Sequence, residues 1–200
     1  MKIYDISQEV FGCEIYEGDP EPQKETVCSI EKGELYNLTS FSMCAHNGTH
    51  IDAPYHFFEN GKKVEEIPLF KTVGIAFVAE HNGILNESDA HRILMRAVAA
   101  APKAAKRILI KGEATVSLEA AQVFADMNIY LIGNESQSIG PLEAPMEVHK
   151  VLLGAETVLL EGIRLNDVPE GVYFLNAAPL SLGGCDGAPC RAILIELDNA

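Results

Sequence analysis

The fold is decided by residues 73–133, which begin with Val73-Gly74-Ile75-Ala76-Phe77-Val78-Ala79 and end with Ile129-Tyr130-Leu131-Ile132-Gly133. Near-continuous apolar runs of this length are typical of strands that are covered on both faces of a sheet. A third, shorter run, Ile108-Leu109-Ile110, lies between them. The stretch therefore predicts three buried strands.

Helix signals fill the two gaps between these strands. Asn86 is a good helix cap followed by acidic residues, and Ala101-Pro102 ends that helix after about four turns. Ser117 caps a second helix that reaches about residue 128. A chain that alternates strand, helix, strand, helix and strand predicts parallel crossover connections.

Outside this stretch the chain is richer in strand signals. We predict a first strand at residues 3–6, a hairpin made of residues 26–30 and 36–44, and a final strand at residues 192–197. Two hundred residues suit one domain with a substantial core. We expect a single α/β domain over residues 1–200, with a mixed sheet and helices packed against it.

Composition excludes several classes of partner. The formal net charge of −14 would repel phosphate backbones, so we expect neither nucleic acid nor an anionic membrane as a partner. Five cysteines leave an odd one over and form no Cys-x-x-Cys pair, which argues against a disulfide framework. The start of the chain lacks the apolar core of a signal peptide, and no apolar run approaches the roughly 18 residues of a membrane span. We expect a cytoplasmic protein.

The densest coordinating chemistry lies in Cys44-Ala45-His46-Asn47-Gly48-Thr49-His50-Ile51-Asp52-Ala53-Pro54-Tyr55-His56. Imidazole and carboxylate are the usual protein ligands of Zn²⁺ and Mn²⁺, so we interpret His46, His50 and Asp52 as metal ligands. Asn47-Gly48 and Pro54 argue against a helix and for a loop, in which turn geometry would bring the ligands together. The alternative is three separate surface histidines.

These residues resemble the signature His-x-Gly-Thr-His-x-Asp-x-Pro-x-His of the cyclase family of metal-dependent hydrolases, which His46 through His56 match at every fixed position. The family includes bacterial kynurenine formamidases and isatin hydrolases. Its members have a swivelling β/β/α fold and commonly form dimers, so the resemblance implies a homo-oligomer, a dimer or a tetramer.

The same resemblance supplies a second ligand segment. Relatives pair a histidine near a helix with a glutamate about a dozen residues later, and His149 and Glu161 fall in register. Without the family, a lone helical histidine and a glutamate that closes a strand would be ordinary residues. The resemblance implies two divalent ions per chain, zinc with manganese as the alternative. His46, His50 and Asp52 would hold the first ion and His149 the second, with Asp52 and Glu161 as bridges.

Three further expectations follow from the family. His56 would be the acid–base group rather than a ligand, and Tyr16 would line the substrate pocket. Relatives carry an aspartate in the segment after Gly133, where this chain has Asn134 followed by Glu135. Asp186 and Arg191 are expected either to form an ion pair under the site or only to shape a turn.

We therefore expect an amidohydrolase that cuts a small aryl formamide resembling N-formylkynurenine with an activated water. A cyclic amide such as isatin is the alternative substrate, and a lyase or cyclase reaction on a hydroxy acid would use the same metals. A metal-binding module without turnover is the remaining alternative, but such a module would have no need of a fourth imidazole at position 56, which favours the enzyme.

Overall fold

The computed structural model describes residues 1–196. The helices α1–α4 span Leu69–Thr72, Glu87–Ala100, Leu118–Asp126 and Pro145–Gly154. The strands β1–β5 span Ile3–Asp5, Gln23–Cys28, Leu38–Ser42, His50–Asp52 and Val73–Glu80. The strands β6–β9 span Gly83–Leu85, Arg107–Lys111, Ala114–Val116 and Leu131–Gly133. The strands β10–β13 span Val158–Glu161, Gly171–Asn176, Gly187–Pro189 and Ile193–Glu196.

One large sheet runs through the described part of the chain, with nine strands in the order β1-β13-β11-β5-β7-β9-β10-β4-β12. The strands β5, β7, β9 and β10 are parallel to one another, and the outer pairs are antiparallel. The prediction of an α/β fold with a mixed sheet and parallel crossovers is confirmed. The final strand was expected to include residue 197, which lies outside the described residues.

The helices begin where the sequence predicts. The Asn86 side chain accepts a hydrogen bond from the Asp89 backbone N–H, and the Ser117 side chain accepts one from the Ala120 N–H. These caps satisfy backbone donors that have no partner within the helix. Apolar side chains of α2, α3 and α4 pack on one face of the sheet and form the helix-side core, which includes Ile93, Phe124, Leu152 and Leu159. A second cluster, with Ile51 and Leu160, fills the opposite face.

The predicted hairpin is present as β2 and β3, which pair antiparallel in a separate two-stranded sheet. The large sheet does not include it, and every residue of β3 is exposed. β3 ends at Ser42, just before the ligand motif, as expected.

The sequence did not reveal β6 and β8, two three-residue strands that pair parallel in another small sheet. None of the helices in the described residues 1–196 is long and apolar enough to cross a membrane.

Candidate metal centre

Two neighbouring strands carry three of the predicted ligands on one face. His50 and Asp52 project from the same side of β4, because side chains alternate along a strand. Leu159 pairs with Asp52 across β10 and is buried in the helix-side core, which identifies that side as the helix face. Glu161 comes two residues after Leu159 and pairs with His50. The sheet register thus places two carboxylates and an imidazole together beneath the helices.

This arrangement corrects, for His50 and Asp52 but not for His46, the expectation that a loop would hold the ligands. His50 and Asp52 lie in a strand that is hydrogen-bonded on both sides, to β10 and to β12. Both neighbouring strands come more than 100 residues after β4. The sequence of β4, which is only three residues long, therefore could not reveal this pairing. The argument against a helix in this motif is confirmed.

His149 reaches the same place from above. It is buried on α4, and its Nε2 lies 3.2 Å from Glu161 Oε1 and 3.8 Å from Asp52 Oδ2. Glu161 is held in turn by the Ile139 backbone N–H, which donates to Oε1 at 2.8 Å. The helix, the strand and the loop after β9 therefore meet at one carboxylate.

His46 enters from the turn before β4, and its Nδ1 lies 2.8 Å from Asp52 Oδ1. Gly48 has φ +65°, a left-handed conformation that glycine adopts without steric cost. The Thr49 hydroxyl donates to the Gly162 carbonyl at 2.7 Å and accepts from the Gln8 N–H at 2.9 Å. Gly48 and Thr49 therefore fix the turn that carries His46.

The second nitrogen of each imidazole has an outer partner. Nδ1 of His50 donates to the Gly48 carbonyl at 3.0 Å, and Nδ1 of His149 donates to the Pro145 carbonyl at 2.7 Å. Nε2 of His46 lies 2.9 Å from Asp186 Oδ2. Metal-ligating histidines show this pattern, in which the outer partner fixes the tautomer and aims the other nitrogen at the ion. The donor set therefore fits a metal centre.

His46, His50, Asp52 and His149 all have strongly perturbed pKa values. Burial lowers the pKa of His46, but Asp52 outweighs this effect and raises it to about 8. Burial also lowers the pKa of His149, but the hydrogen bond and charge of Glu161 outweigh this effect and raise it to about 9. Burial also opposes the shift of Asp52, yet its contacts with His46 and His50 hold the pKa of this carboxyl well below its usual range. Imidazoles and carboxylates therefore balance one another's charge here.

Of the three sets of candidate cation ligands in the described residues, two overlap at Asp52 and contain only residues predicted as ligands. His46, His50 and Asp52 form one set, and Asp52, His149 and Glu161 form the other, each with ligand atoms within 4.8 Å of one another. Asp52 belongs to both sets. Nitrogen and carboxylate oxygen donors of this kind suit first-row divalent metals.

His56 lies beside this cluster in the short 3₁₀ turn Pro54–His56. Its ring is 4.2 Å from the His46 ring between centroids, and its Nδ1 lies 3.0 Å from Asp186 Oδ2. Asp186 thus contacts two imidazoles. The expected ion pair between Asp186 and Arg191 is wrong, because Arg191 Nε instead donates to Asp5 Oδ2 at 2.8 Å.

A cavity of about 200 Å³ opens over the cluster. The structure brings all seven predicted site residues to its wall, namely Tyr16, His46, His50, Asp52, His56, His149 and Glu161. Phe57 supplies a second aromatic ring there, 5.1 Å from the His149 ring. Sequence reasoning also missed Gln137 and Ser138 in the wall, although both lie in the loop after β9 that it had singled out.

Asn134 and its neighbour Glu135 make different contacts in this loop. Asn134 is buried, and its Nδ2 donates to Ser136 Oγ at 2.7 Å. Glu135 accepts hydrogen bonds from the Gly112 and Leu165 backbone N–H groups at 2.6 and 2.8 Å. The Glu135 carboxylate therefore ties this loop to two neighbouring segments.

Comparison with known proteins agrees with this geometry. Residues 4–141 match the Cyclase family model, described as "Putative cyclase". A kynurenine formamidase from Erythrobacter litoralis is 34% identical over 100% of this chain and 96% of its own. One from Salinibacter ruber is 32% identical over 97% of each chain.

Solved structures show the same likeness. A potential metal-dependent hydrolase with cyclase activity superposes with a TM-score of 0.80, at 30% identity and over 99% of each chain. An isatin hydrolase A from Ralstonia solanacearum superposes with a TM-score of 0.82 over 98% of this chain and 92% of its own. At 19% identity, that second likeness concerns the fold alone.

Fold and site together define the class of this protein, a metal-dependent hydrolase. Within that class, the chain belongs to the cyclase family, because the family model matches more than half of the chain.

Proposed function

We propose that this protein hydrolyses the C–N bond of a small aryl formamide, with N-formylkynurenine as the model substrate. The observation that carries the proposal is the set of three imidazoles aimed at two buried carboxylates, each with its other nitrogen anchored. The kynurenine formamidases that align with the whole chain supply the substrate class.

The proposed ligands are those predicted from the sequence. His46, His50 and Asp52 would hold one divalent ion, and His149 a second, with Asp52 and Glu161 between the two. The contacts of Glu161 with both His50 and His149 support this bridging role. We propose zinc as the ion, with manganese as the alternative, because both accept nitrogen and oxygen donors. Ions held there would supply Lewis-acid chemistry, which lowers the pKa of water and polarises an amide carbonyl.

His56 would move the protons of the reaction. An imidazole at the cavity wall can take the proton of the attacking water and return it to the leaving nitrogen, which a formamide requires because an amine anion is a poor leaving group. Tyr16 and Phe57 line the same cavity and offer flat faces to the aromatic ring of the substrate. A larger adjoining cavity of about 940 Å³ shares Tyr16, Gln137 and Ser138, so the substrate has room to extend beyond the metal cluster.

The test is turnover by protein loaded with zinc or with manganese. We expect N-formylkynurenine to be hydrolysed and isatin to be consumed at a much lower rate, with formate release as the readout for the formamide and ring opening as the readout for isatin. The reverse preference would overturn the formamidase proposal and favour a cyclic amide as the substrate. Failure to consume either compound at full metal content would favour a binding module or a lyase reaction.

We also propose that the protein acts as a homo-oligomer in the cytoplasm. The β2–β3 hairpin exposes large apolar side chains to solvent, among them Val27, Leu35 and Phe41, and contiguous exposed apolar surface marks interaction sites. All five cysteines are free, which suits a reducing compartment. Light scattering should give a mass of two or four chains, and Phe41→Glu should lower it. A wild-type mass of one chain would overturn the assembly.

A further inference from the structure

Asp186 occupies a place in the site that the proposed ligand set does not use. Its Oδ2 lies 2.9 Å from His46 Nε2 and 3.0 Å from His56 Nδ1. An ionised carboxylate only accepts hydrogen bonds, so each of these two nitrogens carries a proton and donates it to the same oxygen. One oxygen atom thus contacts both a proposed metal ligand and the proposed acid–base group.

For His46, this contact decides which nitrogen can bind a metal. A proton on Nε2 leaves the lone pair on Nδ1, the atom 2.8 Å from Asp52 Oδ1. His50 and His149 have the corresponding outer bond to backbone carbonyls. His46 has a carboxylate instead, which also increases the basicity of the ring and so its strength as a ligand.

For His56, the same contact decides which nitrogen can act as a base. A proton held on Nδ1 leaves the lone pair on Nε2, and the opposite tautomer would turn the lone pair towards a carboxylate. A base without a fixed tautomer spends part of its time in the form that cannot accept a proton at the reacting atom. Asp186 removes that form.

The backbone holds Asp186 in place through the ligand strand itself. The Asp186 carbonyl accepts a hydrogen bond from the Ala53 N–H at 2.9 Å, and Ala53 follows Asp52 directly. The next residue, Gly187, pairs with Asp52 across β12 and β4. The register that places Asp52 therefore also places Asp186.

We propose that Asp186 is a positioning residue that fixes the tautomers of His46 and His56 together and so couples metal binding to proton transfer. The role rests on the proposed hydrolase function for its kinetic consequence. Its effects on tautomer and on metal affinity do not depend on the substrate.

The direct test is ¹⁵N NMR of the imidazoles in zinc-loaded protein, with the signals of His56 assigned from the spectrum of His56→Gln. In the wild type, His56 should be protonated at Nδ1. Asp186→Ala should remove this preference, weaken zinc binding by roughly 10–100-fold, and lower kcat by a similar factor with KM changed less than about twofold. Asp186→Asn keeps an acceptor oxygen of the same shape and should fall between the wild type and Asp186→Ala.

A matched control is a residue that holds the loop of Asp186 from outside. Glu65 Oε1 accepts from the Gly184 N–H at 2.8 Å, so Glu65→Ala loosens the segment before Asp186 and touches neither imidazole. It should leave the tautomer and the zinc affinity unchanged. An equal effect of Glu65→Ala would reduce Asp186 to a structural residue and overturn the proposal.

Two further outcomes would overturn it. The first is an unchanged His56 tautomer in both Asp186 variants. The second is an additional ion per chain that disappears in Asp186→Asn, because His46, His56 and Asp186 are also close enough to bind a cation. If the spectra and zinc affinities change as expected while the wild type leaves formamides intact, the positioning role stands and only the proposed substrate fails.

Discussion

His50 lies directly opposite Glu161 on the antiparallel strands β4 and β10, and its Nε2 is 3.5 Å from Glu161 Oε2. The two residues are far apart in the sequence, and sheet register alone brings them together. A slip of one residue would turn the side chains of one strand to the opposite face and disperse the site.

His50→Ala should lose bound metal and activity together, because it removes a buried ligand at the centre of the cluster. His46→Ala and Asp52→Ala should do the same. Loss of Lewis-acid catalysis worth several kcal/mol predicts a fall in kcat/KM of about 100-fold or more. Atomic emission on desalted protein checks the metal, with the exposed His91→Ala as the control. Full metal content in all three variants would contradict the ligand assignment.

His56→Ala should keep its metal while kcat falls by roughly 10²–10⁴, the usual contribution of a positioned acid–base group. The measurement is steady-state turnover at a fixed metal content. Turnover equal to that of the wild type would make His56 a structural residue, despite its place in the cavity wall.

His149→Ala should retain one ion per chain and lose the other, because His149 belongs only to the second ligand set. Glu161→Ala should weaken both, since Glu161 contacts imidazoles of both sets. Titration with zinc against a chromophoric chelator separates the two results. A wild type that binds a single ion even in excess metal would contradict the two-ion arrangement.

Metal affinity should rise with pH up to about 9. Without metal, the pKa of His46 is raised to about 8 and that of His149 to about 9, so both rings are protonated at neutral pH and protons compete with the ion. Because the raised pKa values favour the protonated rings, a lower pH increases the competition between protons and the metal ion for these nitrogens. Calorimetry in buffers of different ionisation enthalpy should show proton release at pH 7 that fades above pH 9. Release that does not change with pH would count against these ligands.

Gly187→Ala should weaken metal binding and lower the free energy of unfolding by about 1–3 kcal/mol. A Cβ at this position would lie 2.7 Å from His46 Cε1 and 2.7 Å from the Ile51 carbonyl oxygen, so the ligand ring or strand β4 would have to move. Gly183→Ala is the control, because a Cβ there meets nothing within 4 Å. Chemical denaturation and zinc titration of both variants decide the matter, and equal results for the two would refute the close-approach argument.

The sequence determined the elements whose signals are local. Asn86 and Ser117 cap helices through hydrogen bonds to residues three positions later, so their effect can be read without the rest of the chain. The apolar runs of β5, β7 and β9 gave the buried parallel strands for the same reason. The spacing of His46, His50 and Asp52 predicts a metal motif because these three candidate ligands lie within seven positions of one another.

Only the tertiary structure decided how the site is assembled. The interpretation of the motif as a loop failed because β4 is three residues long and owes its conformation to β10 and β12, which come late in the chain. An ion pair of Asp186 with Arg191 was one of two alternatives that the family resemblance implied, whereas the fold gives Asp186 the partners His46 and His56. Strand pairing and side-chain contacts between distant segments depend on the packing of the whole core, and a pattern within a short window carries no information about them.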